Sequence, residues 1–208
     1  MQPNIRKTKT EVASVIARLR RLAPARPLTV DEARRVAELQ ATSLLLSAGV
    51  HELPVPNEVI TCQRRVMVEY DFDMPDSASG ACHWDSQSRT WVITINASQS
   101  HTRQRFTLLH EYKHILDHDQ PELLESADQQ RYSQPAAEFI ADYFAGCTLM
   151  PRTLVIRAWN SGIRRPQDLA IRFDVSERAM EVRLAQLKLM PKSTPQTNSP
   201  KSYRTEAA

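Results

Sequence analysis

The sequence predicts an α+β fold that is mainly helical and contains a small antiparallel or mixed β-sheet. Two observations favour this class: apolar residues recur at helical spacing through residues 102–189, and three short segments between residues 66 and 95 resemble strands. The 208 residues are enough for one hydrophobic core with appendages. We therefore expect one domain at residues 29–190, an N-terminal extension at 1–28 and a tail at 191–208.

Two helices are expected before the sheet. Residues 11–22 form a basic amphipathic pattern, which prolines follow. Thr29 and Glu32 fit a capping box, in which each side chain accepts a hydrogen bond from the other residue's backbone N–H, so a second helix should begin there. This helix should end near Ala48, because Gly49 follows it.

Three strands are expected in the middle of the chain. Residues 66–70 alternate between apolar and polar side chains. Residues 81–84 and 90–95 flank a polar turn at 85–88, which predicts a hairpin. The chain from about residue 102 onward should be helical.

Charge and cysteine content exclude several classes of protein. The formal net charge of +3 is too small to indicate nucleic-acid binding by itself. Cys62, Cys82 and Cys147 show no C-x-x-C spacing, so neither a disulfide framework nor a structural zinc site is expected. The polar first residues and the lack of a long apolar stretch predict a cytoplasmic protein with no membrane partner. After Pro191 the chain is polar and contains prolines, so the tail is expected to be disordered.

An H-E-x-x-H motif is the most informative part of the sequence. His110 and His114 are four residues apart, so on a helix both lie on one face and can bind one metal ion, with Glu111 beside it. Zinc favours imidazole ligands, and a catalytic zinc site has three protein ligands and a fourth position for water. Glu111 would accept a proton from that water. The motif alone is also compatible with an ordinary solvated helix.

A second helical segment, residues 136–145, offers the third ligand. Its apolar side chains recur at helical spacing, and Glu138 and Asp142 fall together on one face. Glu138 would complete a site of two histidines and one glutamate. Asp142 can accept the outward N–H of a ligand histidine and thereby fix its tautomer. The alternative interpretation is an ordinary solvated pair of carboxylates.

Together these motifs resemble the ImmA/IrrE family of metallo-endopeptidases. The residues that support the resemblance are Arg105, Phe106, Thr107, His110, Glu111, His114, Ile115, Leu116, His118, Glu138, Ala141, Asp142, Phe144, Ala145, Leu149, Met150 and Pro151. The resemblance extends more weakly from about residue 80 to residue 189. It implies a compact, thermolysin-like zincin domain.

The resemblance also implies a function. His110, His114 and Glu138 would bind one Zn²⁺ ion, and Glu111 would be the catalytic base, although Mn²⁺ and other divalent metals also suit such a site. Several members of the family cleave a helix-turn-helix repressor. The expected function is therefore hydrolysis of a peptide bond in a protein substrate, namely a helix-turn-helix repressor encoded nearby. Its cleavage would relieve repression of stress-response or mobile-element genes.

One departure from the family pattern affects the active helix. Tyr112 and Lys113 stand where the family usually has Leu-Gly. We expect Lys113 to lay its stem along the helix surface and to place its ammonium group in water. A lysine that leaned toward the metal would weaken metal binding. A catalytically weak, metal-binding interaction module is therefore an alternative function.

Residues 166–187 raise a second alternative, a DNA-binding regulator. Within the peptidase domain they fit a helix-turn-helix pattern, whose second helix would enter the major groove. Glu177 and Glu181 lie on that helix, and acidic side chains repel DNA phosphates. We therefore expect this segment to be scaffold and do not expect DNA binding.

The sequence does not decide the roles of several residues near the predicted site. His118 extends the histidine series by one turn, but three consecutive turns of a straight helix seldom converge on one ion. The candidates for stabilising an oxyanion are not ranked by the sequence: Tyr112, Tyr132, Tyr143 and His83. The strand ending at Asn96 directly precedes the active helix, so its edge should either bind an extended substrate or serve as scaffold.

Overall fold

The structure, a computed structural model, describes residues 14–118 and 134–191. The strands are β1 Val66–Asp71, β2 Gly80–Asp85 and β3 Thr90–Asn96. The helices are α1 Val15–Arg20, α2 Val30–Ser47, α3 Glu58–Thr61, α4 His101–Asp117, α5 Gln134–Leu149, α6 Arg152–Asn160, α7 Pro166–Phe173 and α8 Glu177–Gln186. The predicted α+β class with a small sheet is confirmed. The start of the first predicted helix and the predicted disordered tail lie outside the described residues.

The start of α2 follows the predicted capping box. The Glu32 N–H donates to the Thr29 hydroxyl at 3.3 Å, and the Thr29 N–H donates to the Glu32 carboxylate at 3.0 Å. These two bonds satisfy backbone donors that the first helical turn leaves without partners. The helix ends at Ser47, and Gly49 reverses the chain with a φ of 65°.

β3 is the central strand of the sheet. The strand order is β1-β3-β2, with β1 parallel and β2 antiparallel to β3. Of the two alternatives for the strand ending at Asn96, the structure favours scaffold, because both edges of this strand are paired. The sequence predicts the hairpin of β2 and β3, but it does not show that β1 pairs with β3 on the other side. Within the described residues, β2 is the edge strand nearest the active helix.

Helix α4 lies across one face of this sheet. The β3 side chains on that face, Trp91, Ile93 and Ile95, are at most 7% exposed. On α4 itself, the buried apolar side chains include Leu108, Ile115 and Leu116. The buried apolar side chains fix the rotation of α4 about its axis. They therefore also fix the direction in which its polar side chains point.

Helix α5 packs against both α4 and α2. Its residues 143–149 are all buried. In α2, Ala33, Ala37 and Ala41 recur every four residues and are at most 3% exposed, so small side chains permit close packing of the helices. Among the described residues no single helix is long and apolar enough to cross a membrane, although the bent pair Pro135–Leu149 and Arg152–Asn160 reaches that size together.

Arg105 connects three parts of the domain. Its side chain is 5% exposed, and its guanidinium donates to the Val55 carbonyl at 2.8 Å and to Asn57 Oδ1 at 3.1 Å. Its Nε donates to the Asp174 carbonyl at 3.1 Å and lies 3.1 Å from the Asp174 carboxylate. One buried cation on α4 therefore holds both the segment before β1 and the turn between α7 and α8.

The helix-turn-helix-like segment packs into this domain. α7 ends at Phe173, and the next residue, Asp174, has a left-handed backbone with a φ of 52°. The side chains that the two helices bury completely are Leu169, Phe173, Met180 and Leu184. Arg183 of α8 is 2% exposed and donates to the Met150 carbonyl at 3.0 Å. One face of the second helix is therefore used for contacts inside the domain.

Replacing Arg105 with alanine should lower the free energy of unfolding by about 3 kcal/mol, because several buried acceptors lose their shared donor. Arg35→Ala, at an exposed position of α2, should change it by less than about 0.5 kcal/mol. Urea unfolding followed by circular dichroism measures both values. Equal unfolding midpoints for the two variants would show that Arg105 does not hold these segments together.

Candidate metal centre

Two histidines of α4 face a common point. The Nε2 atoms of His110 and His114 are 3.0 Å apart, and their rings meet edge to face. Tyr112 and Ile115, on other faces of the helix, are fully buried. The side chains of His110 and His114 remain 16% and 25% exposed. The buried apolar faces therefore fix the orientation of the helix. The histidines remain accessible to a metal ion and to substrate.

Glu138 of α5 completes the cluster. Its carboxylate oxygens lie 3.1 Å from His110 Nε2 and 3.4 Å from His114 Nε2. Two donors about 2.1 Å from a tetrahedral ion are roughly 3.4 Å apart, so the three residues match the spacing of a zinc shell. Their donor atoms all lie within 4.8 Å of one another. Half of the Glu138 side chain is exposed, so solvent can reach the cluster on that side.

Asp142 orients His110. Its Oδ1 lies 2.9 Å from His110 Nδ1. An ionised carboxylate only accepts hydrogen bonds, so Nδ1 holds the proton and the Nε2 lone pair points toward the cluster. Burial lowers the pKa of His110, but the hydrogen bond to Asp142 and the charges of Asp142, Glu111 and Glu138 outweigh burial and raise it. In the metal-free protein a proton therefore competes with a metal for this imidazole.

Glu111 lies on the side of α4 that faces β2, and it is 9% exposed. A Cβ added at Gly80 would lie 2.5 Å from Thr107 Cγ2, 2.9 Å from the Thr94 carbonyl and 3.4 Å from Glu111 Cγ. Glycine at this position therefore permits the edge strand to approach the predicted catalytic residue closely.

Cys82 follows Gly80 on the same face of β2, because side chains alternate along a strand. Burial, and then the charge of Glu111 and a hydrogen bond to it, raise the pKa of the Cys82 thiol to about 12. The thiol is therefore neutral and lies close enough to Glu111 to interact with its carboxylate. Neither Gly80 nor Cys82 belongs to a sequence motif, and only the strand pairing brings them to α4.

The departure at Tyr112 and Lys113 is accommodated inside the domain. Lys113 is 3% exposed, and its Nζ donates to Asp117 at 2.5 Å. The expectation that its ammonium group reaches water is therefore wrong, because a carboxylate one turn later neutralises the charge where it is buried. Tyr112 is fully buried, and its hydroxyl donates to Gln63 at 2.9 Å, which removes it from the oxyanion candidates.

The remaining candidate ligand and oxyanion residues either lie away from the three-residue cluster or fall outside the described residues. His118 packs edge to face on Trp91, with ring centroids 4.7 Å apart, and is not in the three-residue cluster of the described chain. His83 alternates with Cys82 and so points away from α4. Tyr143 donates its hydroxyl to a glutamate of α2 at 3.4 Å. Tyr132 lies outside the described residues.

The chain matches a known protein family. Residues 66–185 match the family model of the IrrE N-terminal-like domain, a peptidase family. The chain belongs to this family. The matched range includes all of α4 and α5 and the predicted ligand residues, so the arrangement described above is that of a metallopeptidase-type domain. The resemblance inferred from the sequence motifs is confirmed.

A solved structure shares the fold over most of the chain. A Mycobacterium tuberculosis transcriptional regulator aligns with a TM-score of 0.58 and 18% sequence identity, covering 83% of this chain and 52% of that one. The present chain therefore spans about half the length of that protein. At this level of identity the likeness shows the fold alone. A comparison with curated proteins finds no match.

Gly80→Ala should lower the free energy of unfolding by about 2 kcal/mol, because the added methyl group meets backbone as well as a side chain. Gly146→Ala is the matched control, since its Cβ would have Met150 Cε at 3.9 Å as its nearest neighbour. Alanine in that helix should stabilise the protein by up to about 1 kcal/mol. Urea unfolding measures both, and a Gly80→Ala protein as stable as the control would refute the close approach of β2.

Asp142→Asn should weaken zinc binding about 10-fold to 100-fold, because His110 loses the carboxylate that fixes its tautomer. Asp168→Asn, at an exposed position of α7, should leave the affinity unchanged. Competition with a chromophoric zinc chelator gives both dissociation constants. Equal affinities in the two variants would show that Asp142 does not orient the ligand.

Proposed function

We propose that this protein is a zinc-dependent endopeptidase that hydrolyses a peptide bond in a protein substrate. The observation that supports the proposal best is the convergence of His110, His114 and Glu138 within 4.8 Å, with Glu111 next to the first histidine. The donor set of two imidazoles and one carboxylate is typical of catalytic zinc sites, although Mn²⁺ or another divalent metal would also fit it. Family membership supports the same class of reaction.

Each side chain has a separate role in this mechanism. Zinc bound to the three ligands would acidify a water molecule and polarise the scissile carbonyl. Glu111 accepts a proton from the attacking water and delivers it to the leaving amine. The neutral thiol of Cys82 beside Glu111 would help to position its carboxylate, while Asp142 keeps the proton of His110 on Nδ1.

The edge strand β2 supports an extended substrate. The Asn96 N–H donates to the Ser79 carbonyl at 2.9 Å across the hairpin. Bonded and non-bonded pairs alternate in an antiparallel ladder, so Gly80, Cys82 and Trp84 direct their backbone groups away from β3. A peptide that pairs with this edge would run alongside α4 and past the catalytic glutamate. Backbone hydrogen bonds would then align the scissile bond.

We further propose that the substrate is a helix-turn-helix transcriptional repressor encoded near this protein. The family resemblance of the sequence motifs supports this choice. Hydrolysis would separate the DNA-binding part of the repressor from the rest of its chain. Repression of stress-response or mobile-element genes would then be relieved.

An inactive interaction module is less well supported. The sequence raises it because the charge of Lys113 would oppose the metal if the side chain leaned toward it. This charge is paired with Asp117 instead, and Glu111 lies beside Gly80 of β2. The departure from the family pattern therefore gives no physical reason for loss of activity.

A DNA-binding regulator is also less well supported. The face of α8 that contains Met180 and Arg183 is buried within the domain. The rest of the helix includes Glu177 and Glu181, and Arg178 is paired with Glu181 at 3.1 Å. Carboxylates on this side oppose the approach of phosphates.

Glu111→Gln should bind zinc as tightly as the wild type but should lower the rate of cleavage by at least about 100-fold, because the proton acceptor is lost. The assay incubates zinc-loaded protein with the neighbouring repressor and follows repressor length by mass spectrometry. Glu69→Gln, at an exposed position of β1, is the matched control and should cleave normally. An intact repressor with zinc-loaded wild type, or equal cleavage by Glu111→Gln, would contradict the proposal.

A further inference from the structure

A cavity of about 630 Å³ opens beside the metal centre. It lies between α4, α5 and α8, and its apolar walls include Phe106, Phe139, Met150 and Val182. Asp142, which holds His110, lines the same cavity. The cavity therefore begins at the residue that orients His110, although none of the three predicted ligands lines it. The volume is large enough for several residues of a peptide or for a small ligand.

The cavity is positively charged. Arg103, Arg178 and Arg183 line it, and the one carboxylate among its lining residues is that of Asp142, which is engaged with His110. Arg103 and Arg178 lie at exposed positions, where Arg178 also forms an ion pair with Glu181 at 3.1 Å, whereas Arg183 is 2% exposed. Apolar walls with three guanidinium groups are suited to an anion whose stem is apolar, such as a glutamate side chain.

Arg183 is unusual because a buried cation normally has a carboxylate partner. Its Nε donates to the Met150 carbonyl at 3.0 Å, and its Nη1 donates to Gln186 Oε1 at 3.3 Å. Both acceptors are neutral. Within residues 14–118 and 134–191, Arg183 has no ion pair. An anionic group in the cavity would supply the missing partner.

The distance from the metal centre limits where that anionic group lies. Met150 directly follows the last residue of α5 and is eight residues beyond Asp142, which corresponds to about 12 Å along the helix axis. Arg183 is bonded to the carbonyl of Met150 and so marks the far end of this interval. An extended peptide advances about 3.3 Å per residue, so three or four residues cover the same distance.

We propose that the cavity is a specificity pocket that binds an acidic side chain of the protein substrate, three or four residues to one side of the scissile bond, through Arg183 and the arginines at its mouth. This inference rests on the proposed peptidase function. It adds a sequence requirement that the metal ligands and the edge strand do not impose. The preference should occur on one side of the cleaved bond, because the cavity lies on one side of the metal centre.

The first experiment varies the substrate and leaves the protein unchanged. A synthetic library of blocked decapeptides is incubated with zinc-loaded wild-type protein, and the cleavage sites are identified by mass spectrometry. Asp and Glu should be enriched at the third or fourth position on one side only. In the best-cleaved peptide, replacing that Glu with Gln should lower kcat/KM about 10-fold or more, the typical effect of losing one charged hydrogen bond. Equal kcat/KM for the two peptides would overturn the proposal.

The second experiment varies the protein. Arg178→Glu should remove the preference for the acidic peptide, while Arg164→Gln, an exposed arginine that does not line the cavity, should keep it. Arg183→Gln should also remove the preference. Because Arg183 holds Met150, that variant is interpreted only if its circular dichroism and zinc content match those of the wild type. An unchanged preference in Arg178→Glu would overturn the proposal.

A third measurement separates failure of the pocket from failure of the peptidase function. If no library peptide is cleaved, the proposed function fails, and the pocket is tested by binding alone. Fluorescence anisotropy of labelled library peptides with the zinc-loaded Glu111→Gln protein should show tighter binding of the Glu-containing peptide than of its Gln counterpart. Equal affinities for the Glu-containing and the Gln-containing peptide would overturn the proposal of an acidic specificity pocket. Complete displacement of the peptide by octanoate, an anion with an apolar chain, without any difference between Glu and Gln would assign the cavity to a small molecule instead.

Discussion

The position of α4 between the sheet and α5 is the constraint on which the rest of the site depends. Buried apolar side chains of α4 pack on the sheet, and the stack of Tyr112 on Phe144, with ring centroids 6.3 Å apart, fixes the contact of α4 with α5. With both contacts made, His110 and Glu138 come within 3.1 Å although 27 residues separate them in the chain. The three predicted ligands thus meet because of core packing. A change in the rotation of either helix would separate them, since each ligand comes from a helix whose orientation is set by its buried side chains.

Much of this arrangement could be predicted from the sequence, because its signals are local. Four-residue spacing places His110 and His114 on one face, and the same spacing pairs Glu138 with Asp142. The capping box at Thr29 and the hairpin around residues 85–88 also depend only on neighbouring residues. Each of these features is determined by residues that are close together in the sequence.

The features that could not be predicted all depend on pairing between distant segments. The choice of β1 as the second partner of β3 makes β2 the edge strand, and no local pattern distinguishes the two outcomes. The proximity of Gly80 to Glu111 follows from that strand order. Lys113 illustrates the same limit, because exposure of a lysine depends on what surrounds it, and here Asp117 permits its burial.

Two buried arginines explain why the helix-turn-helix-like segment belongs to the wall of the site. Arg105 bonds to the turn at Asp174, and Arg183 bonds to the end of α5 at Met150. These contacts hold α8 beside the cavity that leads to the metal centre. The segment that resembles a DNA-reading element in sequence therefore shapes the space where a substrate would extend.

The proposed mechanism requires a zinc ion held by two histidines and one glutamate, with a position open for water. The zinc shell can be measured by zinc K-edge X-ray absorption of the zinc-loaded protein. We expect two imidazole ligands and oxygen donors at about 2.0–2.2 Å, with no sulfur. A sulfur ligand at about 2.3 Å, which would have to come from a cysteine such as Cys82, or a shell with fewer than two imidazoles would contradict it.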